Sequence, residues 1–173
     1  MTAPRLTRCL VLEPTDAIKA KYDKPFELAY VVTLAEHQIS TDLHVKNTGS
    51  SASSPLEFQA LFHTYLRAPA NDVRITSLKG VSFFDKTEAT EELRAQAKLE
   101  TREAVDVLKF TDSVYEDAPG IYQVSWPGGG VEVKARNLKD VVVWNPQAEA
   151  GSKIGDMEAG GWCVNSTLML DLL

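Results

Sequence analysis

Leu56-Glu-Phe-Gln-Ala-Leu-Phe-His-Thr-Tyr-Leu-Arg67 alternates between two kinds of side chain, as a β-strand does. One side of the predicted strand is typical of the core face of a sheet: Leu56, Phe58, Ala60, Phe62, Thr64 and Leu66. The other side is rich in hydrogen-bonding groups: Glu57, Gln59, Leu61, His63, Tyr65 and Arg67. This side indicates a binding surface, and His63 is its main candidate because histidine as a residue type titrates near neutral pH. A structural histidine is the commoner role on a strand, so the residue alone leaves both interpretations open.

Shorter runs of alternating or apolar residues, separated by polar turns, predict further strands. They are Phe26 to Leu34, Ile39 to Lys46, Val73 to Leu78, Val81 to Phe84, Ala104 to Phe110, Tyr122 to Trp126, Val131 to Ala135 and Val141 to Trp144. Pro127-Gly-Gly-Gly130 predicts a hairpin turn, and His44 falls on the solvated side of its strand. Lys86 to Thr101 is rich in charged residues and predicts a surface helix or a mobile charged loop. The pattern predicts an all-β antiparallel β-sandwich in a single domain spanning residues 1–173.

The composition excludes several classes of function. The chain has 173 residues and a formal net charge of −6, so we expect neither nucleic acid nor an anionic membrane surface as a partner. Cys9 and Cys163 lie near opposite ends without metal-ligand spacing, which predicts reduced thiols and no metal site. No apolar run approaches the length of a membrane span. We therefore expect a soluble, cytoplasmic protein.

Four stretches resemble a known family in their order and spacing. They are Phe58-Gln-Ala-Leu-Phe-His-Thr-Tyr-Leu-Arg67, Leu78-Lys-Gly-Val-Ser-Phe-Phe-Asp-Lys86, Phe110-Thr-Asp-Ser-Val-Tyr115 and Asp140-Val-Val-Val-Trp-Asn-Pro146. Over about residues 28–162 the chain resembles the glucose-6-phosphate 1-epimerases, or hexose-6-phosphate mutarotases, of the galactose-mutarotase-like superfamily. The resemblance implies an isomerase that interconverts the α and β anomers of glucose 6-phosphate by acid/base ring opening, without a cofactor. It also implies an incomplete version of the superfamily's β-sandwich.

The resemblance also implies roles for individual residues. His63 takes the place of the catalytic acid, and Asp112 takes the place of the acidic residue that binds sugar hydroxyls. Without the family, Asp112 would be interpreted as a turn or capping aspartate, and Asp140 as a structural residue at a strand edge. Glu57 shares the predicted face of His63 but lies roughly 20 Å away along an extended strand, too far to share one sugar. The implied partner is a small sugar phosphate.

Two features differ from the family pattern. The family's base is a glutamate in a Val-Cys-Val-Glu-Pro-Gly type motif after a Gly-Gly-Trp, whereas Gly160-Gly-Trp162 is followed here by Cys163-Val-Asn165. If Cys163-Val164 corresponds to the Cys-Val of the motif, the amide of Asn165 stands where the family has a carboxylate, and Asp171 is the only later acid. The family's phosphate-binding arginines have no counterpart in the sequence.

These differences imply a family member truncated at both ends. We expect exposed edges and self-association. The alternatives to a mutarotase are a carbohydrate-binding β-sandwich without catalysis and an inactive fragment that binds a protein partner.

Overall fold

The computed structural model describes residues 5–50, 55–147, 151 and 167–172, and for the last range it describes the backbone. The strands are β1 Leu6–Leu12, β2 Phe26–Ala35, β3 Gln38–Asn47, β4 Phe62–Arg67, β5 Arg74–Thr76, β6 Ser82–Asp85, β7 Ala97–Leu99, β8 Thr111–Tyr115, β9 Ile121–Trp126, β10 Gly129–Lys134, β11 Val141–Asn145 and β12 Thr167–Leu172. The short helices are α1 Asp16–Lys19 and α2 Glu91–Arg94. Within the described residues, no helix is both long and apolar enough to cross a bilayer. The predicted all-β antiparallel sandwich is confirmed.

The chain divides into two compact units, Met1–Phe58 and Gln59–Leu173. The first unit contains the three-stranded antiparallel sheet β1-β2-β3. Both predicted strands of this unit are confirmed as β2 and β3, and each is slightly longer than the run that predicts it. His44 is exposed, as its position on the polar side of β3 predicts. The expectation of a single domain stays a prediction.

The second unit contains two sheets that enclose its core. Their strand orders are β10-β9-β5 and β4-β12-β11-β8-β6-β7. Fully buried apolar side chains from both sheets and the connecting loops form the core: Val73, Ile75, Leu78, Val105, Val107, Tyr115, Tyr122, Val124, Val141 and Val143. Burial of these side chains is the main force that holds the two sheets together.

The predicted hairpin is confirmed between β9 and β10. Trp126 pairs with Gly129, so Pro127 and Gly128 form the two-residue turn. Gly128 has a φ of +85°, a conformation that side chains with a Cβ adopt only under strain. The glycine run therefore makes a tight turn.

Three predicted elements are corrected. The strand that carries His63 begins at Phe62 rather than at Leu56, and Phe58 is 58% exposed rather than in the core. Ala104 to Phe110 is not a strand: Val105 makes a single bridge to Ile75. The alternation there belongs to a loop that buries every second side chain. Such burial does not require the ladder of hydrogen bonds that defines a strand.

The third correction concerns Lys86 to Thr101. It forms one helical turn, α2, but it also supplies β7 and the buried side chain of Glu100. A charged residue enters the interior because it finds charged and polar partners there, which the local pattern does not reveal.

Candidate functional site

The candidate site lies on one face of the six-stranded sheet. In β4 the side chains of His63, Tyr65 and Arg67 are exposed, whereas those of Phe62, Thr64 and Leu66 are half-buried. The alternation predicted for this part of the strand is therefore confirmed. We call the side of the sheet that carries His63, Tyr65 and Arg67 the His63 face.

His63 is oriented by its neighbour on the same face. Its Nε2 atom lies 2.9 Å from the hydroxyl oxygen of Tyr65, a hydrogen-bonding distance. The two rings also meet edge to face, with centroids 4.9 Å apart and planes at 79°. Residues i and i+2 of a strand project to the same side, so β4 itself brings this pair together. The contact holds one ring nitrogen in place, and the His63 side chain remains exposed on β4.

Asp112 lies in β8, and the strand register places it on the same face. Asp112 pairs with Trp144 of β11, Trp144 pairs with Met169 of β12, and Met169 pairs with Tyr65. Paired residues of neighbouring strands project to the same side of a sheet, so Asp112 and Tyr65 share a row across it. The burial pattern agrees, since Thr111, Ser113 and Tyr115 are buried on the opposite face.

The two predicted site residues therefore share a face without touching. Three strand spacings of about 4.8 Å and an offset of two residues, about 7 Å, separate the backbones of His63 and Asp112 by roughly 16 Å. The strands β12 and β11 lie in this interval. Val142 and Trp144 of β11 and Val114 of β8 are half-buried on the same face. The sheet therefore places His63 and Asp112 on the two strands that flank β12 and β11.

Lys86 extends the row of Asp112 beyond β8. Its backbone N–H donates to the Asp112 carbonyl at 2.8 Å, and its Nζ atom lies 5.0 Å from the centroid of the Phe84 ring. Phe84 pairs with Val114, so the ammonium group stands on the His63 face. Together with Arg67 on β4 it gives this face two cations. Lys86 is the last residue of one of the four stretches that resemble the family, but the sequence alone indicates no role for it.

A buried charge cluster supports β8 from the opposite side of the sheet. Glu100 is 3% exposed, and its carboxylate accepts hydrogen bonds from the Arg102 side chain at 2.9 and 2.7 Å and from the Tyr115 hydroxyl at 2.8 Å. Burial would raise the pKa of Glu100, but these bonds and one from the Arg102 backbone outweigh it and lower the pKa to about 2. The pKa of Tyr115 is raised, first by burial and then by the hydrogen bond to Glu100.

Two cavities lined by described residues lie away from this face. A cavity of about 480 Å³ belongs to the first unit and is lined by residues that include Glu13, Lys19, Phe26 and Thr48. A second, of about 300 Å³, lies on the side of the six-stranded sheet opposite the His63 face and is lined by residues that include Asp85, Lys98, Arg102 and Ser113. Neither contains His63 or Asp112.

Other predicted positions have separate outcomes. Asp140 accepts a hydrogen bond from the Asp117 backbone N–H at 3.0 Å, consistent with the structural role proposed for it. Asn165 and the Gly160–Trp162 segment lie outside the described residues. In β12 the register partner of His63 is Asp171. Among the described residues, no three His, Cys, Asp or Glu side chains form a group that could hold a metal ion.

Comparison with known proteins identifies related sequences and folds. The family model for aldose 1-epimerase matches residues 3–167. YeaD from Salmonella typhimurium, a proposed mutarotase, is similar in structure with a TM-score of 0.76 and 18% identity, over 96% of this chain and 52% of that chain. A proposed aldose 1-epimerase from Escherichia coli K12 gives a TM-score of 0.64 and 13% identity, over 96% and 53%. The chain thus spans about half the length of these solved structures, and at such identities the likeness shows the fold.

Proposed function

We propose that this chain, which belongs to the aldose 1-epimerase family, interconverts the α and β anomers of an aldose, with glucose 6-phosphate as its substrate. The observation that supports this proposal best is the strand register that puts His63 and Asp112 on one face of the six-stranded sheet. Such an arrangement lets one residue reach the reacting end of a sugar while the other binds its distant hydroxyls.

The chemistry requires two proton transfers. An acid protonates the ring oxygen while a base removes the proton of the C1 hydroxyl, and the bond between C1 and the ring oxygen breaks to give the open-chain aldehyde. Rotation about the C1–C2 bond and closure in the reverse sense then produce the other anomer. In our proposal His63 is the acid. Its contact with Tyr65 holds the imidazole in one orientation, which reduces the entropy lost when the sugar binds.

Asp112 is proposed to bind the sugar hydroxyls. A carboxylate accepts two hydroxyl hydrogen bonds and is well suited to a polyol. Lys86 and Arg67 supply positive charge at opposite ends of the same face, and Lys86, next to Asp112, can hold a phosphate on the substrate. This charge is what favours a sugar phosphate over a neutral aldose.

A carbohydrate-binding function without catalysis is the second candidate. It is favoured by Asn165, an amide at the position where the resembling family has its base. In that case the face would bind the sugar, and the anomers would exchange at the uncatalysed rate.

Magnetization-transfer NMR of glucose 6-phosphate separates the two functions. With the purified chain we expect anomer exchange above the rate in buffer alone, and with His63→Ala we expect the buffer rate. His44→Ala is the matched control, because His44 is also an exposed strand histidine but belongs to the first unit. Exchange at the buffer rate with the unmodified chain would contradict catalysis, and saturable binding in the same sample would then favour the second candidate.

Two further comparisons test the binding roles. Asp112→Asn should raise KM by roughly tenfold or more, since a hydrogen bond to a charged group contributes about 1.5–3 kcal/mol. Glucose in place of glucose 6-phosphate should show a higher KM, and Lys86→Ala should reduce that difference. Equal KM values for the two sugars would contradict the phosphate specificity while leaving mutarotation itself intact.

A further inference from the structure

The three-stranded sheet of the first unit has one apolar face and one polar face. Register pairing aligns the apolar residues of its three strands in rows, such as Leu10, Tyr30 and Leu43, or Leu6, Leu34 and Ile39. We call this side the apolar face; its members are Leu6, Leu10, Leu12, Leu28, Tyr30, Val32, Leu34, Ile39, Leu43 and Val45. Its polar members are Arg8, Thr41 and Asn47, and all three lie on the outer strands of the sheet.

The opposite side of this sheet is more polar, although β1 and β2 contribute Cys9, Val11, Ala29 and Val31 to it. The hydroxyl groups of Thr7 and Thr33 lie 3.2 Å apart there, and β3 contributes Ser40, Asp42, His44 and Lys46. A sheet with one wet face and one apolar face normally packs the apolar face against another layer. Here the apolar side chains are exposed: Leu10 and Ile39 are each 66% accessible, and Leu6 and Leu34 are 54% and 52% accessible.

The exposed area is large enough for a specific interface. Seven large apolar side chains of the face are between 37% and 66% exposed: Leu6, Leu10, Leu12, Tyr30, Leu34, Ile39 and Leu43. At on the order of 150 Å² for a large apolar side chain, they present roughly 550 Å² in one copy and about 1,100 Å² in a pair. Single patches on monomers reach about 300–600 Å², and a stable protein interface needs about 1,000 Å² in total.

We propose that this chain forms a two-fold symmetric dimer by packing the apolar faces of two copies against each other. The face suits a second copy because it is complementary to itself: it is apolar throughout its centre and has no acidic residue that would require a basic partner. Two sheets of this kind pack about 10 Å apart with their side chains interdigitated. Arg8 lies on the outer strand β1, where its long side chain reaches water at the rim. The inference concerns the first unit and is independent of the proposed function.

Two adjacent residues of β1 give a matched test. Leu10 and Val11 are similarly exposed, at 66% and 61%, but they lie on opposite faces of the same strand. Leu10→Glu would place a charge on the apolar face of each copy, and Val11→Glu would place the same charge on the opposite face. Because a symmetric interface contains every substitution twice, we expect Leu10→Glu to raise the dimer dissociation constant at least about a hundredfold. Val11→Glu should leave it unchanged.

Sedimentation velocity of the full chain across the micromolar range measures this constant. Ile39→Glu is the second test variant, because its side chain is as exposed as that of Leu10 and lies on the other outer strand, β3. Circular dichroism of each variant checks that the strands are retained. A monomeric unmodified chain would overturn the proposal and leave the face to a different partner. Self-association that both β1 variants weaken equally, or that neither weakens, would also overturn it and would indicate pairing through strand edges.

Discussion

Replacing Glu100 by glutamine tests the buried charge that supports β8. The carboxylate is almost completely enclosed and accepts four hydrogen bonds: two from the Arg102 guanidinium, one from the Arg102 backbone at 2.9 Å and one from Tyr115. Glutamine has nearly the same shape but no charge. Its amide NH2 is a donor that would face the donor groups of Arg102 and Tyr115. Glu100→Gln therefore leaves the packing in place and removes the charge that balances a partly buried arginine.

The magnitude follows from the pKa of Glu100. Burial acts to raise this pKa, but the hydrogen bonds from Arg102 and Tyr115 prevail and lower it from 4.5 to about 2. Since one pKa unit corresponds to about 1.4 kcal/mol, the ionised carboxylate contributes roughly 3 kcal/mol to the free energy of unfolding. A lowered pKa means that this contribution is complete above pH 4.5 and is lost as the pH falls towards 2.

Urea unfolding at a series of pH values measures both effects. At pH 7 we expect Glu100→Gln to be less stable than the unmodified chain by roughly 3 kcal/mol, and we expect the difference to shrink as the pH falls below 4.5. Glu103→Gln is the control, because the Glu103 side chain is 82% exposed and its ion pair with Lys79 lies at the surface. That control should change stability by less than about 1 kcal/mol. A stability difference for Glu100→Gln that is the same at pH 7 and pH 3 would refute the electrostatic reasoning.

Two matched pairs test other features of the second unit by denaturant unfolding. Tyr115 and Tyr122 are both fully buried, but the hydroxyl of Tyr122 has no hydrogen-bond partner among the described residues. Tyr115→Phe should destabilise the chain by about 1.5–3 kcal/mol, whereas Tyr122→Phe should be neutral or stabilising by up to about 1 kcal/mol; equal effects would contradict this. Gly120 and Gly128 both have positive φ, but a Cβ at Gly120 would lie 2.9 Å from the Ala135 carbonyl oxygen, and a Cβ at Gly128 meets nothing within 4 Å. Gly120→Ala should therefore destabilise by at least about 1 kcal/mol more than Gly128→Ala, and the reverse order would contradict the contact.

The elements that the sequence predicts well are those whose stability is local. The apolar run of β2 and the alternating run of β3 each cover most of a ten-residue strand, and the hairpin of β9 and β10 is marked by Pro127 and Gly128. In each case the periodicity and the turn residues carry the information within a short window. The ends of the strands are harder to predict from the sequence, because a strand ends where the pairing with its neighbour ends. Leu56 to Leu61 continue the alternation of β4 but are not part of the strand.

The elements that the sequence does not predict depend on residues that are distant in the chain. β8 begins with Thr111 and Asp112, polar residues that are as common in turns as in strands. It is a strand because it pairs with β11 on one side and β6 on the other. Glu100 lies in a charged stretch that predicts a solvated surface, yet Tyr115 and Arg102 make its burial favourable. Local propensity is overridden in both cases by partners that are far apart in the chain or across a sheet.

The candidate site combines these two kinds of information. That His63 shares an exposed face with Tyr65 follows from β4 alone, since alternation decides it. That Asp112 belongs to the same face follows only from the strand order β4-β12-β11-β8 and from the register of its three pairings. A shift of one residue in any one of these pairings would move Asp112 to the core side of the sheet. The buried cluster on the other side of β8 opposes such a shift, because Tyr115 would lose Glu100, so the interior charge helps to place the residue proposed to bind the sugar.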